Sequence, residues 1–89
     1  MEAAAYYESR RPGRGETFMA MIRATRGAMA KHPRSFAPVQ GHPEIRGAPI
    51  LRFPYRLIYA TNEDELVILA VAHDKRRPDY WVDRLDDDL

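Results

Sequence analysis

The sequence predicts an α+β fold in which an N-terminal helical hairpin packs on a small antiparallel β-sheet and a short helix follows the sheet. Three observations predict this class. Apolar residues recur every three or four positions in the first third of the chain, they recur every second position from Arg46 onward, and the connections between these segments are short. The 89 residues are expected to form one domain, residues 1–89.

Two helices are predicted, over Ala3–Arg11 and Glu16–Lys31. The segment RPGRGE between them contains a proline and two glycines, which do not easily continue a helix and therefore predict a tight connection. The second helix has an apolar stripe at three- and four-residue spacing: Phe18, Met21, Ile22, Thr25 and Met29. Helices joined so closely are expected to form an antiparallel hairpin.

The second half of the chain predicts strands. Residues 31–43 contain three prolines and a glycine and are interpreted as a loop. Strands are predicted near Ala48–Phe53 and Tyr55–Thr61, and the short turn NEDE predicts that the next strand pairs antiparallel with them. That strand, LVILAVAH, is apolar on both faces and is therefore expected at the centre of the sheet. Pro78 is expected to open the last short helix.

The alternation in RGAPILRFPYRLIYAT predicts the two faces of this sheet. Arg52 and Arg56 are expected to share the face that points away from the helices. The face toward the helices is expected to hold Leu51, Phe53, Tyr55, Leu57 and Tyr59.

Composition excludes several classes of protein. The chain has no cysteine, which excludes a disulfide scaffold, a thiol nucleophile and a thiolate metal site, and is typical of a reducing compartment. No apolar run approaches the about 20 residues of a membrane-spanning helix. The first residues lack the basic-then-apolar order of a signal peptide. We therefore expect a cytoplasmic protein that does not contact membranes.

The net charge of +1 is unevenly distributed. Residues 1–45 carry seven Lys and Arg against four Asp and Glu, giving +3, and residues 46–89 carry seven against nine, giving −2. This net positive charge is lower than expected for a protein whose affinity depends on many phosphate contacts.

Several side chains are candidates for binding. Lys75, Arg76 and Arg77 beside His73 could bind phosphate, because arginine offers two-point hydrogen bonding to phosphate oxygens; the alternative is a solvated strand end. Arg52 and Arg56 could form a positive surface for RNA or for an acidic protein segment; the alternative is an ordinary solvent-facing side.

The aromatic residues are expected to have structural roles, and the histidines are not expected to bind a metal. Tyr6 and Tyr7 are expected to pack on the second helix, and Tyr80 and Trp81 to anchor the last helix. The three histidines, at positions 32, 42 and 73, do not have the spacing of metal ligands, so neither a metal nor a cofactor is expected.

Four segments carry a resemblance to a known family: YYESRRPGRGETF, HPRSFAPV, FPYRLIY and DELVILAVAHDKRRPDYW. In their order and spacing, from Ala3 to Arg84, they resemble the RelE/ParE superfamily of toxins from bacterial type II toxin–antitoxin pairs. The first segment is closer to the ParE and plasmid-stabilisation branch. Members of this family usually begin with an additional strand, whereas this sequence starts directly at MEAAAYYE, so the sheet is expected to have fewer strands than its relatives. Either the start is truncated or another segment covers that edge; an uncovered edge would invite strand addition by a partner.

The resemblance implies two active functions. A ParE-like toxin would inhibit growth by binding a target such as DNA gyrase, and a cognate antitoxin would neutralise it. Antitoxin docking would then involve the positive residues together with Tyr6 and Tyr7. The weak net charge favours this function, and an inactive orphan member is a further alternative.

The second implied function is a RelE-like endoribonuclease that cuts mRNA on the ribosome. This chemistry needs a base, an acid and a cation for the developing charge. The candidates are His73 as base, Arg56 and Arg76 for charge, and Tyr80 as a weak acid, with Glu44 as an assisting carboxylate. Histidine is the side chain that ordinarily titrates near neutral pH.

Overall fold

The computed structural model describes residues 2–62 and 65–75 and has the predicted α+β architecture. Two helices, α1 (Glu2–Arg10) and α2 (Arg14–Lys31), precede four strands. The strands are β1 (Pro38–Val39), β2 (His42–Pro49), β3 (Tyr55–Thr61) and β4 (Leu66–His73). They form one antiparallel sheet in the order β1-β2-β3-β4. The short helix predicted from Pro78 lies outside the described residues.

The helical hairpin is held together at its turn by Glu8. Its carboxylate accepts hydrogen bonds from the backbone N–H groups of Gly13, at 2.9 Å, and Gly15, at 3.2 Å. The first N–H groups of a helix have no partner within the helix, so this side chain from α1 satisfies one at the start of α2. Gly13 adopts a φ of 85°, which favours glycine. At Gly15 a Cβ would collide with the carbonyl oxygen of Ala4, so the hairpin requires a glycine there.

The helices cover one face of the sheet. Neither described helix covers the other face, which we call the open face. The covered face belongs to the main core, in which these residues are buried: Phe18, Ile22, Met29, Ala48, Ile50, Phe53, Leu57 and Tyr59. The open face carries a smaller cluster of Ile45, Ile58 and Ala72. Leu57 and Ile58, adjacent on β3, thus point to opposite faces, as the strand period requires.

The strand predicted over Ala48–Phe53 is displaced. β2 ends at Pro49, and the chain turns over residues 50–54. The turn is closed by a hydrogen bond from the Ile50 N–H to the Tyr55 carbonyl, and Phe53 N–H bonds back to the Ile50 carbonyl. Proline has no N–H for a sheet ladder, so the two prolines flanking this segment favour a turn over a strand.

The prediction of a shared face for Arg52 and Arg56 is therefore wrong. Arg52 lies in the turn with a φ of 74°, whereas Arg56 is on β3. Leu51, predicted to face the helices, is 70% exposed in the same turn.

Two further predictions about strands are also wrong. Part of the segment interpreted as a loop is extended: Pro38–Val39 pairs with β2 around Gly41, whose φ is 83°. β4 is not central but lies at the edge of the described sheet. Its apolar character on both faces has another cause, because its side chains join both the main core and the smaller cluster on the open face.

The residues before Tyr6 that the structure describes are helical. Neither of the described helices combines the length and the apolarity that are needed to cross a membrane.

Candidate functional site

Three segments of the chain meet at one end of the molecule: the α1–α2 turn, the β2–β3 turn and the end of β4. The ring of Phe53 lies 4.8 Å from that of Tyr7, which joins the β2–β3 turn to α1. The Asp74 N–H donates to the Pro54 carbonyl at 2.9 Å, which joins the same turn to the end of β4. Residues that are distant in sequence thus share one surface.

An aromatic cluster supports this end from within. Phe18 lies 5.2 Å from Tyr7, 4.8 Å from Phe53 and 5.4 Å from Tyr55, measured between ring centroids. Most of these pairs are edge-to-face, the arrangement that the ring quadrupole favours. Burial raises the pKa of Tyr7 above its usual value, and the neighbouring Tyr55 adds to the effect. The Tyr7 hydroxyl therefore stays protonated at neutral pH.

Two arginines are held on the faces of these rings. The Arg14 guanidinium carbon lies 4.3 Å from the ring centroid of Phe53 and 5.8 Å from that of Tyr7. Arg10 lies 5.4 Å above Tyr6 in the same way. Such contacts attract the cation to the negative face of the ring and restrict its position.

Arg10 and Arg14 lie on either side of the α1–α2 turn, in which Arg11 is exposed. The contact of Arg14 with Phe53 brings this turn next to the β2–β3 turn, in which Leu51 and Arg52 are exposed. We refer to these five residues, Arg10, Arg11, Arg14, Leu51 and Arg52, as the arginine end. None of its four arginines pairs with a carboxylate of the residues that the structure describes.

His73 lies on the covered side of the sheet. It pairs with Tyr55 across β3 and β4, and the two rings are 4.8 Å apart in an edge-to-face contact. Its Nδ1 accepts a hydrogen bond from the Lys75 N–H at 3.0 Å. This nitrogen therefore acts as an acceptor that shapes the turn after β4.

Arg56 lies on the open face. Its Nε donates to Asp74 Oδ1 at 3.2 Å, an ion pair in which both side chains are partly exposed. The Arg56 stem passes close to Gly47 on the adjacent strand, where a Cβ would lie 3.7 Å from Arg56 Cδ, an ordinary contact distance. Arg56 and His73 thus flank the same end of β4 from opposite faces of the sheet.

The remaining predicted residues fall into three groups. Lys75 is exposed in the turn after β4. Glu44 lies near the start of β2, and at the usual rise per residue it is about 17 Å from Pro49 at the end of that strand. Tyr7 packs in the core as predicted, whereas Tyr6 is 52% exposed. Arg76, Arg77, Tyr80 and Trp81 lie outside the described residues.

Sequence reasoning did not identify Arg10, Arg11 and Arg14 as candidates. Their signal was present in the segment SRRPGR, where three cations surround a predicted turn two residues after a pair of tyrosines. Three cations so close to a turn predict an exposed charged surface. The proximity of Arg52 could not be read from sequence, because it depends on the fold.

Among residues 2–62 and 65–75 no group of His, Asp and Glu is arranged to hold a metal ion. Comparisons with protein-family models, with curated proteins and with solved structures gave no match.

Proposed function

We propose that this protein is a ParE-like toxin of a type II toxin–antitoxin pair, which inhibits growth in the bacterial cytoplasm by binding a target protein such as DNA gyrase. A cognate antitoxin neutralises it. The resemblance of the four sequence segments supports this proposal, and so does the hairpin-on-sheet architecture that the resemblance implies.

The observation that carries the proposal is the separation of His73 from Arg56. A ribonuclease base and the cation that stabilises the developing charge must both reach one phosphate. Here the His73 ring contacts Tyr55 on the covered face, while the Arg56 side chain lies on the open face and is paired with Asp74. This arrangement favours a protein that acts by binding over one that cuts RNA.

The position of the His73 imidazole has the same implication. Its Nδ1 accepts the Lys75 N–H, so this nitrogen is occupied by a bond within the chain. A histidine that closes a turn has a structural role, and its substitution by a residue with an acceptor at the same place is expected to preserve activity.

The test is expression from a tightly controlled promoter in a bacterial host without an antitoxin. We expect growth arrest, inhibition of DNA supercoiling by purified protein and gyrase, and intact mRNA on translating ribosomes. Cleaved mRNA with unaffected supercoiling would contradict the proposal and favour the ribonuclease function instead. Normal growth at confirmed expression would contradict both and favour an inactive member.

Two substitutions test the residue argument. His73→Asn retains an acceptor near the Nδ1 position but removes imidazole chemistry, and His32→Asn, at the exposed end of α2, is its matched control. Arg56→Ala is compared with Arg23→Ala on the exposed side of α2. We expect all four variants to arrest growth, provided that circular dichroism shows them folded. Loss of toxicity in folded His73→Asn and Arg56→Ala alone would contradict the binding mechanism.

A further inference from the structure

We propose that the arginine end is a docking surface for an acidic protein segment that presents an aliphatic side chain among its carboxylates. This inference rests on the proposed function, for which it names the surface that the neutralising partner uses. It differs from the sequence-based expectation of a site on the open face, because the arginine end is built from two turns.

The charge of this end is not balanced within the described chain. Arg10, Arg11, Arg14 and Arg52 form no ion pair with a described carboxylate. Two acids of the adjoining segments are engaged within the chain: Glu8 accepts the N–H groups of Gly13 and Gly15, and Asp74 accepts from Arg56. No carboxylate among residues 2–62 and 65–75 therefore neutralises these cationic groups, and carboxylates from another molecule can pair with them.

Two of these cations are positioned before a partner arrives. Arg14 is held over Phe53 and Tyr7, and Arg10 over Tyr6. A flexible side chain loses rotamer freedom when it binds, so a guanidinium already restricted by a ring loses less. The planar guanidinium group also matches a carboxylate through two parallel hydrogen bonds.

The apolar component distinguishes a protein partner from a nucleic acid. Leu51 is 70% exposed and directly precedes Arg52, so an aliphatic group and a cation project from the same turn. A peptide can cover this leucine with an aliphatic side chain while its carboxylates contact the arginines. A phosphate backbone gains only the charge contacts, and the net charge of +1 is low for phosphate-dominated binding.

The variant that tests this surface is Arg11→Gln with Arg52→Asn. Both side chains are exposed, and asparagine tolerates the positive φ at position 52 better than most residues. Arg10 and Arg14 are left intact because they pack on rings of the cluster. The matched control is Arg23→Gln with Arg26→Gln, which removes the same charge from exposed positions elsewhere on α2.

The binding experiment uses a labelled synthetic peptide of Asp, Glu and Leu, measured by fluorescence anisotropy on the full chain. We expect the Arg11→Gln/Arg52→Asn variant to bind about tenfold more weakly and the control to bind within about twofold of the original, because docking contacts rather than net charge decide the affinity. Leu51→Ser, and a peptide with Ser in place of Leu, should each weaken binding.

Three results would overturn the inference: equal binding by both double variants, no binding of the acidic peptide, or tighter binding of an oligothymidylate of the same charge. The last result would assign the surface to nucleic acid. The growth assay reports the proposed function separately. Growth arrest with equal peptide binding would refute only the docking surface, whereas selective peptide binding without growth arrest would refute only the toxin function.

Discussion

The two faces of the sheet are stabilised in different ways. On the covered face, aromatic and aliphatic side chains from the helices and from strands β2, β3 and β4 form a continuous core. Phe18 and Tyr59 are fully buried in it. On the open face, three buried residues, Ile45, Ile58 and Ala72, form a much smaller cluster, and the Arg56 stem lies over Gly47. The difference indicates that fold stability resides on the covered face, while the open face and the turns tolerate charge.

The largest contrast is expected between Phe18→Ala and Ile58→Ala. Phe18 contacts three other rings of the covered core, so its removal should lower the free energy of unfolding by about 3–5 kcal/mol, whereas Ile58→Ala should cost about 2–3 kcal/mol. Urea titration followed by circular dichroism measures both. If Phe18→Ala does not fold, Phe18→Leu replaces it. Equal losses at the two positions would contradict the assigned contrast.

The same contrast appears on α2, where two glycines occupy its packed and its exposed side. Gly15→Ala forces a Cβ against the carbonyl oxygen of Ala4, and Glu8 Cβ lies 3.0 Å away, so we expect a loss of about 1–3 kcal/mol. At Gly27 a Cβ meets nothing within 4 Å, so Gly27→Ala should stabilise the helix by about 0.5–1 kcal/mol. Thermal melting that shifts in the same direction for both variants would contradict this assignment.

The sequence predicted the covered face better than the end of the molecule where the turns meet. The period of the apolar residues identified α2 and β3, because burial on one side imposes that period. It misplaced β2, since the apolar residues from Ile50 to Phe53 continue the alternating pattern into a turn. It also suggested a central position for β4, because contact with two clusters gives an edge strand the apolar composition of a central one.

The candidate site was the least predictable part for a related reason. The turn that holds Arg14 and the turn that holds Arg52 become neighbours through the contacts of Phe53 with Tyr7 and Arg14. Sequence periodicity reports which side of an element is buried, and it carries no information on which turns become neighbours. His73 pairs with Tyr55, the residue before Arg56 on β3. The side chains of His73 and Arg56 therefore lie on different faces of the sheet.

A smaller effect is expected for the hydrogen bond that the Tyr59 hydroxyl makes on the covered face. The Tyr59 hydroxyl donates to the Pro33 carbonyl at 2.7 Å, so Tyr59→Phe should cost about 1 kcal/mol. Burial raises the pKa of Tyr59 above 10.0, although nearby Arg46 lowers it slightly. The protonated hydroxyl is thus favoured in the folded state. Its stabilising contribution is complete below pH 10.0 and is lost as the pH rises through the folded-state pKa.

Urea titrations of the original protein and Tyr59→Phe at rising alkaline pH measure this linkage. The difference in unfolding free energy between them should shrink above pH 10.0, since only the original protein loses stability through this group. A difference that is constant across this range would show that burial of the hydroxyl does not affect its ionisation.

The smallest effect is expected at the ion pair on the open face. Arg56 and Asp74 are 49% and 40% exposed, so water and salt screen their attraction, and Asp74→Asn should cost no more than about 0.5 kcal/mol. The backbone bond from Asp74 N–H to the Pro54 carbonyl remains in the variant, so the turn after β4 should keep its position. A double-mutant cycle with Arg56→Gln isolates the pair from the other effects of each substitution. A coupling energy well above about 0.5 kcal/mol that persists in high salt would contradict this prediction. It would show that the Arg56–Asp74 pair contributes substantially to the stability of the open face.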